Sequence, residues 1–330
     1  MPTFGAWQIS DLVITGPDPF ASNATAETDA PGATSFVISP SADLQLVDLV
    51  DDDASFEDAD GGQALAAATT FDGVAWDAGD GVETEYSYII RPSGSSDPAD
   101  NITIYVLEYQ GQVHGIASTE RLFAGQSYDI VGIDSNDPVI AYSAMAICFA
   151  AGSLVATKQG PVPVEKLREG MRIQTVDNGY RPLEWAGRWL VNGRGANAPV
   201  RFETGVIGNT RPLFLSGRHR VLMRPERGPL QGEEILVAAR ALVGQPGITR
   251  AECDRIQWVH LLFERHEVVF AEDARTESLL PGPAALSCVG PETARYLQAT
   301  READPFGMLP ARPIVPTGKA QRMLRLPQRA

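Results

Sequence analysis

The sequence predicts an all-β protein of two domains, followed by a short tail that contains a helix. Three observations support this prediction. Short runs of branched and aromatic residues are broken by glycine, helical periodicity is nearly absent, and the charge changes sign near residue 148. With 330 residues, the chain is long enough to form two hydrophobic cores.

The charge of the chain divides at Cys148. Before that residue there are 24 acidic and two basic residues, and from it onward there are 18 acidic and 25 basic ones. The two parts carry −22 and +7, which together give the −15 of the whole chain. We therefore expect a domain boundary at residues 147–148. The acidic domain excludes nucleic acid as a partner, because phosphates would be repelled.

The sequence of residues 1–147 predicts an acidic antiparallel β-sandwich. Its clearest element is a hairpin in which Asn101–Glu108 and Val113–Ser118 flank a glycine-containing turn. The other predicted strands are Thr34–Ile38, Leu44–Val50, Glu85–Ile90 and Ser127–Ile133. Asp134–Ala146 contains an Asp-Pro pair and small residues, which are typical of a connector.

The acidic run Asp51–Asp60 raises the question of calcium binding. A twelve-residue calcium loop needs oxygen ligands at fixed positions, a central glycine and a terminal glutamate, and this run lacks that pattern. A solvated loop is the favoured interpretation. We therefore expect no cofactor and no metal in this protein.

Residues 148–282 predict a second, compact β-domain. Its predicted strands are Ser153–Thr157, Arg172–Val176, Leu183–Trp189, Leu213–Leu215, Glu234–Ala238, Gln257–Phe263 and Glu267–Ala271. Residues 283–330 form the predicted tail, with a helix at Pro291–Thr300 followed by a segment rich in proline and arginine. All three cysteines lie after residue 147, and their odd number argues against a closed disulfide framework.

The most informative motif begins at Cys148. It continues with a Gly-Ser turn and regularly placed glycine, valine and leucine residues, at Gly152, Ser153, Thr157, Gly160, Val164, Leu167, Gly170 and Gly179. This block resembles the opening of Hedgehog/intein (Hint) domains, in which a cysteine begins a strand and acts as a nucleophile. Met171 departs from the family pattern, which usually has aspartate at that place.

Two later blocks extend the resemblance. Ser216-Gly217-Arg218-His219 is similar to the T-x-x-H motif of the family, with serine in place of threonine. The segment Val259–Ala271 resembles the late strand pair of inteins and looks closest to a bacterial intein-like subgroup. There His260 lies near the place of the family's aspartate, and His266 lies at that of its histidine.

The resemblance implies self-processing with Cys148 as the nucleophile. The thiol would attack the carbonyl of Ile147, and His219 would protonate the amide nitrogen of Cys148 while Ser216 polarises the bond. His260 or His266 would take the thiol proton or activate the final nucleophile, and the sequence does not separate them. Water or an external nucleophile would then release residues 1–147 from the thioester.

Inteins end with His-Asn before a second nucleophile, and this sequence has no such block after Glu267–Ala271. We therefore expect cleavage of one bond, Ile147–Cys148, in a single turnover and without splicing. The missing block and Ser216 also favour an alternative, a non-catalytic secreted or surface adhesion protein with a degenerate Hint fold. A cysteine hydrolase acting in trans has little support, because Cys148 follows a linker and begins a strand.

Zinc is a competing interpretation of Cys148, His219, His260 and His266, but short metal-binding clips such as C-x-x-C are absent. The expected substrate is the protein's own N-terminal segment. No transmembrane segment and no conventional signal peptide are predicted, since no apolar run reaches about 18 residues. An extracellular or cell-surface location is the working hypothesis.

Overall fold

The computed structural model describes residues 3–21, 28–51, 55–57, 60–118, 120, 122–141, 147–226, 230–280, 308–315 and 317–324. The chain forms two compact units, residues 1–145 with 282–306 and residues 146–281 with 307–330. Strands dominate both units, which confirms the all-β prediction. None of the helices in the described part of the chain has the length and apolarity needed to cross a membrane.

The N-terminal unit is built from antiparallel strands. Within the described residues these are β1 (Thr3–Gln8), β2 (Leu12–Thr15), β3 (Ser35–Ile38), β4 (Gln45–Val50), β5 (Ser55–Glu57), β6 (Ala64–Leu65), β7 (Thr69–Phe71), β8 (Val74–Trp76), β9 (Ser87–Pro92), β10 (Ile102–Tyr109), β11 (Gln112–Ser118), β12 (Ser127–Ser135) and β13 (Val139–Ala141). Nine of them pair in the order β2-β3-β12-β9-β10-β11-β1-β4-β6, while β5 pairs with β13 and β7 with β8.

The predicted hairpin is present as β10 and β11, which pair from Ile104 opposite Ser118 to Tyr109 opposite Gln112. Gln110 and Gly111 have φ angles of 53° and 75°, the two positive values that a type I′ turn requires. The segment predicted as a connector contains a strand, since β13 pairs with β5. This pairing joins residues about 80 positions apart in the chain, so the local composition could not reveal it.

Aromatic side chains form much of the N-terminal core. The ring of Trp76 stacks on Tyr109 at 4.7 Å and lies 4.9 Å from the ring of Phe71. Gly115 in β11 allows this packing, because a Cβ atom there would lie 2.7 Å from the Phe71 ring. Among the described residues of both units, no group of three or more histidine, cysteine, aspartate or glutamate side chains is arranged to hold a metal ion.

The C-terminal unit contains two sheets. Its described elements are β14 (Phe149–Ala150), β15 (Leu154–Thr157), β16 (Gly160–Pro163), β17 (Arg172–Thr175), β18 (Gly179–Pro182), β19 (Trp185–Gly193), β20 (Val200–Phe202), β21 (Leu213–Leu215), β22 (Arg220–Met223), β23 (Ile235–Ala238), α1 (Ala239–Leu242), β24 (Ile248–Arg250), β25 (Cys253–Leu262), β26 (Val268–Ala271), β27 (Ala274–Glu277), β28 (Ile314–Val315) and α2 (Thr317–Met323). The sheet order is β19-β25-β14-β21-β20-β24 in one and β16-β15-β17-β26-β27-β22-β23-β28 in the other, where β18 pairs with β17.

A single hydrophobic core joins the strands of this unit. It includes Phe149, Leu215 and Val259, each at most 1% exposed, together with buried residues from β15, β17, β22 and β26. Burial of large apolar side chains of this kind supplies most of the free energy that stabilises a small β-domain. The core also includes Val315, Ala320 and Leu324, so the C-terminal segment contributes to it.

The segment Met308–Leu324 folds onto the C-terminal unit. β28 pairs in parallel with β23, and the Arg312 guanidinium binds Asp177 at 2.7 Å and Glu234 at 2.8 Å. Part of the predicted tail is therefore ordered by packing on distant strands. The predicted helix Pro291–Thr300 lies outside the described residues.

We expect Arg312→Ala to lower the free energy of unfolding of the C-terminal unit by about 1 kcal/mol, because one guanidinium bridges two carboxylates, that of Asp177 between β17 and β18 and that of Glu234 just before β23. Denaturant unfolding would measure the change. Arg194→Ala is the matched control, since Arg194 and its partner Asp254 are 62% and 83% exposed. Equal destabilisation by the two variants would contradict this view of Arg312.

Candidate active site

The register of three strands places the candidate nucleophile. β14 lies between β21 and β25, and Phe149 is opposite both Leu215 and Val259. Because antiparallel partners step in opposite directions, the residue before Phe149 faces the residue after each of those partners. Cys148 therefore meets Ser216 on one side and His260 on the other.

Ser216 binds the backbone of Cys148 through two hydrogen bonds. Its hydroxyl oxygen accepts a hydrogen bond from the backbone N–H of Cys148 at 2.9 Å. Its own backbone N–H donates to the carbonyl of Cys148 at 3.0 Å. Ser216 is 5% exposed and Cys148 is fully buried, so the hydroxyl holds the N–H of the Ile147–Cys148 amide in a dry environment, while the second contact holds the next peptide, Cys148–Phe149.

His260 contacts the thiol directly. Its Nε2 atom lies 3.1 Å from the Sγ atom of Cys148, and both side chains are fully buried. Burial, and to a smaller extent the charge of His219, lower the pKa of His260 to about 3, whereas the backbone of Ile147 opposes the shift. The imidazole is therefore neutral at pH 7, the form that can accept a proton from a thiol.

His219 lies after β21, which pairs with β14 on the side away from β25. Its backbone N–H donates to the carbonyl of Ser216, and its ring packs edge-on against Phe149 at 4.3 Å. Burial lowers its pKa to about 4, although the charge of Glu277 and the backbone of Cys148 favour protonation. The imidazole is therefore neutral at pH 7.

His266 belongs to a different environment. Its Nδ1 atom accepts a hydrogen bond from the backbone N–H of Ala311 at 2.9 Å, and its Nε2 atom lies 3.2 Å from a carboxylate oxygen of Glu277. The structure thus brings Cys148, Ser216, His219 and His260 together and engages His266 elsewhere. The four candidate zinc ligands of the sequence do not form one cluster.

Glu277 is the residue near this site that the sequence did not indicate. It is fully buried at the end of β27. There its carboxylate accepts a hydrogen bond from the backbone N–H of Arg220 at 2.7 Å and pairs with the Arg220 guanidinium at 3.1 Å. Burial raises its pKa, but Arg220, His266 and His219 outweigh this effect and lower it to about 2. A single glutamate in a strand carries no sequence signal, because its partners come from distant positions.

Of the three cysteines, the structure describes Cys148 and Cys253, and neither takes part in a disulfide bond there. Cys288 lies outside the described residues. Cys253 is partly exposed in β25, whereas Cys148 is buried in contact with His260.

Part of the chain is similar to known proteins. Residues 147–283 match the family model described as the Hint domain. A crystal structure of the gp41-1 intein aligns with 40% of this chain and 98% of its own, at 9% identity and a TM-score of 0.26. A triple variant of that intein aligns over the same shares at 10% identity and the same score. No curated protein matches the chain.

We expect the C-terminal unit to lose stability as the pH falls from 6.5 to 4.5. The unfolded histidines bind protons below their ordinary pKa of 6.5, whereas folded His219 and His260 stay neutral down to about 4 and 3. The unfolded state therefore gains protons first, and each histidine lowers the unfolding free energy by about 1 kcal/mol per pH unit.

The measurement is denaturant unfolding of the Cys148→Ala chain, followed through the methyl NMR signals of Leu261. His260→Gln in the same background serves as the comparison and should show a shallower dependence on pH. The Glu277 carboxylate adds to the loss only near the lower end of this range, since its unfolded form takes up protons around its ordinary pKa of 4.5. An unfolding free energy that stays constant from pH 6.5 to 4.5 would contradict neutral, buried histidines.

Proposed function

Residues 147–283 are a Hint domain, and we propose that this domain cleaves its own chain at the Ile147–Cys148 peptide bond. The likeness to Hint and intein proteins supports self-processing in general. The observation that carries the specific proposal is the placement of the Cys148 thiol 3.1 Å from His260 while Ser216 binds the Cys148 amide at 2.9 Å. The nucleophile, a base and the bond to be broken thus meet at one buried point.

In the first step, His260 takes the thiol proton and the sulfur attacks the carbonyl carbon of Ile147. Burial keeps His260 neutral at pH 7, so its Nε2 atom is available to accept that proton. The attack is intramolecular, because the sulfur and the carbonyl belong to adjacent residues. It therefore gains the advantage of proximity that a second molecule would lack.

In the second step, the bond between the Ile147 carbonyl and the Cys148 nitrogen breaks, and a thioester remains. The departing amine needs a proton, and His219 is the proposed donor because the backbone of Cys148 lies against its ring. The thiol loses one proton and the amine gains one, so this exchange needs no external acid or base. The mechanism requires this proton to pass from His260 to His219, whose charge acts on His260.

The thioester is then resolved by water or by an external nucleophile, which releases residues 1–147 with a new carboxyl group or adduct. Splicing is not proposed, because the described strands after β26 carry no His-Asn pair. Ser216 contributes by holding the scissile amide in one orientation, a role that threonine would also fill. The reaction occurs once per chain, and the chain is its own substrate.

We expect purified wild-type protein to separate into two fragments, one ending at Ile147 and one beginning at Cys148. Dithiothreitol or hydroxylamine should accelerate the separation, because each attacks a thioester. Intact mass spectrometry and N-terminal sequencing would identify the products. Cys148→Ala should remain whole, and Cys253→Ser should cleave like the wild type. A folded wild-type chain that stays intact with thiol would favour the alternative, a non-catalytic adhesion protein.

The two late histidines should differ in their effect on cleavage. His260→Gln should slow it by about 100-fold or more, which is the usual contribution of a positioned general base. His266→Gln should cause a smaller loss, since that ring contacts Ala311 and Glu277 and not the thiol. Cleavage rates at pH 7, measured by gel densitometry, would decide. A larger loss in His266→Gln would contradict the assignment of the base to His260.

A further inference from the structure

We propose that Glu277 is a positioning residue for His219. The buried carboxylate of Glu277 stabilises the protonated form of the His219 imidazole, which is the form that the departing amine requires. This inference rests on the proposed function, because it names the group that enables its acid step. Glu277 does not touch the reacting atoms. It acts through His219 and through the backbone that carries it.

The first support is the position of the carboxylate beside the chain that follows His219. One oxygen of Glu277 accepts the backbone N–H of Arg220 at 2.7 Å, and Arg220 directly follows His219. The strands that hold them are neighbours, with Val221 of β22 opposite Thr276 of β27. The carboxylate therefore fixes the peptide on which the His219 side chain depends for its direction.

The second support is the charge state of the group. The backbone N–H of Ala311 donates to Nδ1 of His266, so that nitrogen carries no proton, and the ring proton lies on Nε2. The Nε2 atom lies 3.2 Å from a Glu277 oxygen, and the Arg220 guanidinium lies 3.1 Å from the same carboxylate. The backbone N–H and the guanidinium of Arg220, with the His266 ring beside them, hold a fully buried carboxylate in its ionised form.

The third support comes from the groups that face His219. These are Glu277 from β27, Arg220 from β22, Cys148 before β14 and His260 from β25. Of the two charges acting on His219, that of Glu277 raises its pKa and that of Arg220 lowers it. The carboxylate of Glu277 can therefore stabilise a positive charge on His219 and offset part of the desolvation cost of a charged, buried imidazole.

The test begins in the Cys148→Ala chain, so that the measurement does not depend on cleavage. The imidazole NMR signals of His219 would be followed as the pH is lowered, with and without Glu277→Gln. We expect this variant to lower the pKa of His219 and Glu277→Asp to restore part of it, because aspartate keeps the charge. An unchanged or raised pKa of His219 in Glu277→Gln overturns the proposal.

Glu272→Gln is the matched control. Glu272 is also a buried glutamate of this sheet, where it accepts the backbone N–H of Leu154 at 2.7 Å and lies 3.5 Å from Arg211. Its substitution removes the same charge without touching His219, and we expect no change in the pKa of that histidine. An equal shift in both variants would indicate general destabilisation and overturn a specific role for Glu277.

If Glu277→Gln does not fold, the Cys148→Ala chain with its native Glu277 still decides. Among the described residues, the charge of Glu277 favours the protonated form of His219, whereas the charge of His219 disfavours protonation of His260, so we expect His219 to take up its proton at the higher pH. Protonation of His260 first overturns the proposal. This ordering requires no substitution in the buried cluster.

Cleavage supplies a second readout in the chain with Cys148. Since the acid form of His219 limits the second step, each pH unit by which its pKa falls should slow cleavage about tenfold at neutral pH. The limb on which cleavage slows as the pH rises through the pKa of His219 should move to lower pH with that pKa, and Glu277→Asp should recover part of the rate. An unchanged profile in folded Glu277→Gln overturns the proposal.

A wild-type chain that does not cleave contradicts the proposed function, while the NMR titration still tests the role of Glu277.

Discussion

The pairing of β14 with two strands at once controls the geometry of the C-terminal unit. This strand has only two residues, yet it lies between β21 and β25 and fixes their relative register through Phe149. A shift of one residue on either side would turn Ser216 or His260 to the other face of the sheet. The contacts of Cys148 are therefore a consequence of main-chain hydrogen bonds and of a buried phenylalanine, and not of long flexible side chains.

Burial is the second general constraint. Cys148, His219 and His260 are all fully buried, and so is Glu277. Each neutral imidazole loses hydration without becoming charged, and the carboxylate of Glu277 keeps its charge because the donors of Arg220 bind it. The domain thus places a reactive group in a dry core and orients it with neutral side chains, while the carboxylate of Glu277 lies between Arg220 and His266.

The sequence predicted the parts of this arrangement that depend on local motifs. The cysteine block and the S-x-x-H motif indicated Cys148, Ser216 and His219, and strands β21 and β26 occur close to their predicted positions. The sequence could not choose between His260 and His266, because both lie near one strand end. Their partners come from β14 in one case and from β27 and the C-terminal segment in the other. Glu277 and β28 were missed for the same reason, since parallel pairing and buried ion pairs join distant residues.

The docking of the C-terminal segment sets an order of events during synthesis. β1 to β13 of the N-terminal unit lie within residues 3–141, so they leave the ribosome well before the rest. The ring of His266 meets its partner Ala311 only after some forty-five further residues have emerged, and β23 gains its parallel neighbour later still. Strands β1 to β13 can therefore pair while the buried cluster behind His219 is still incomplete. The surroundings of Glu277 are completed only once the segment around Ala311 has emerged, so the site described here is assembled late relative to the acidic strands that precede it.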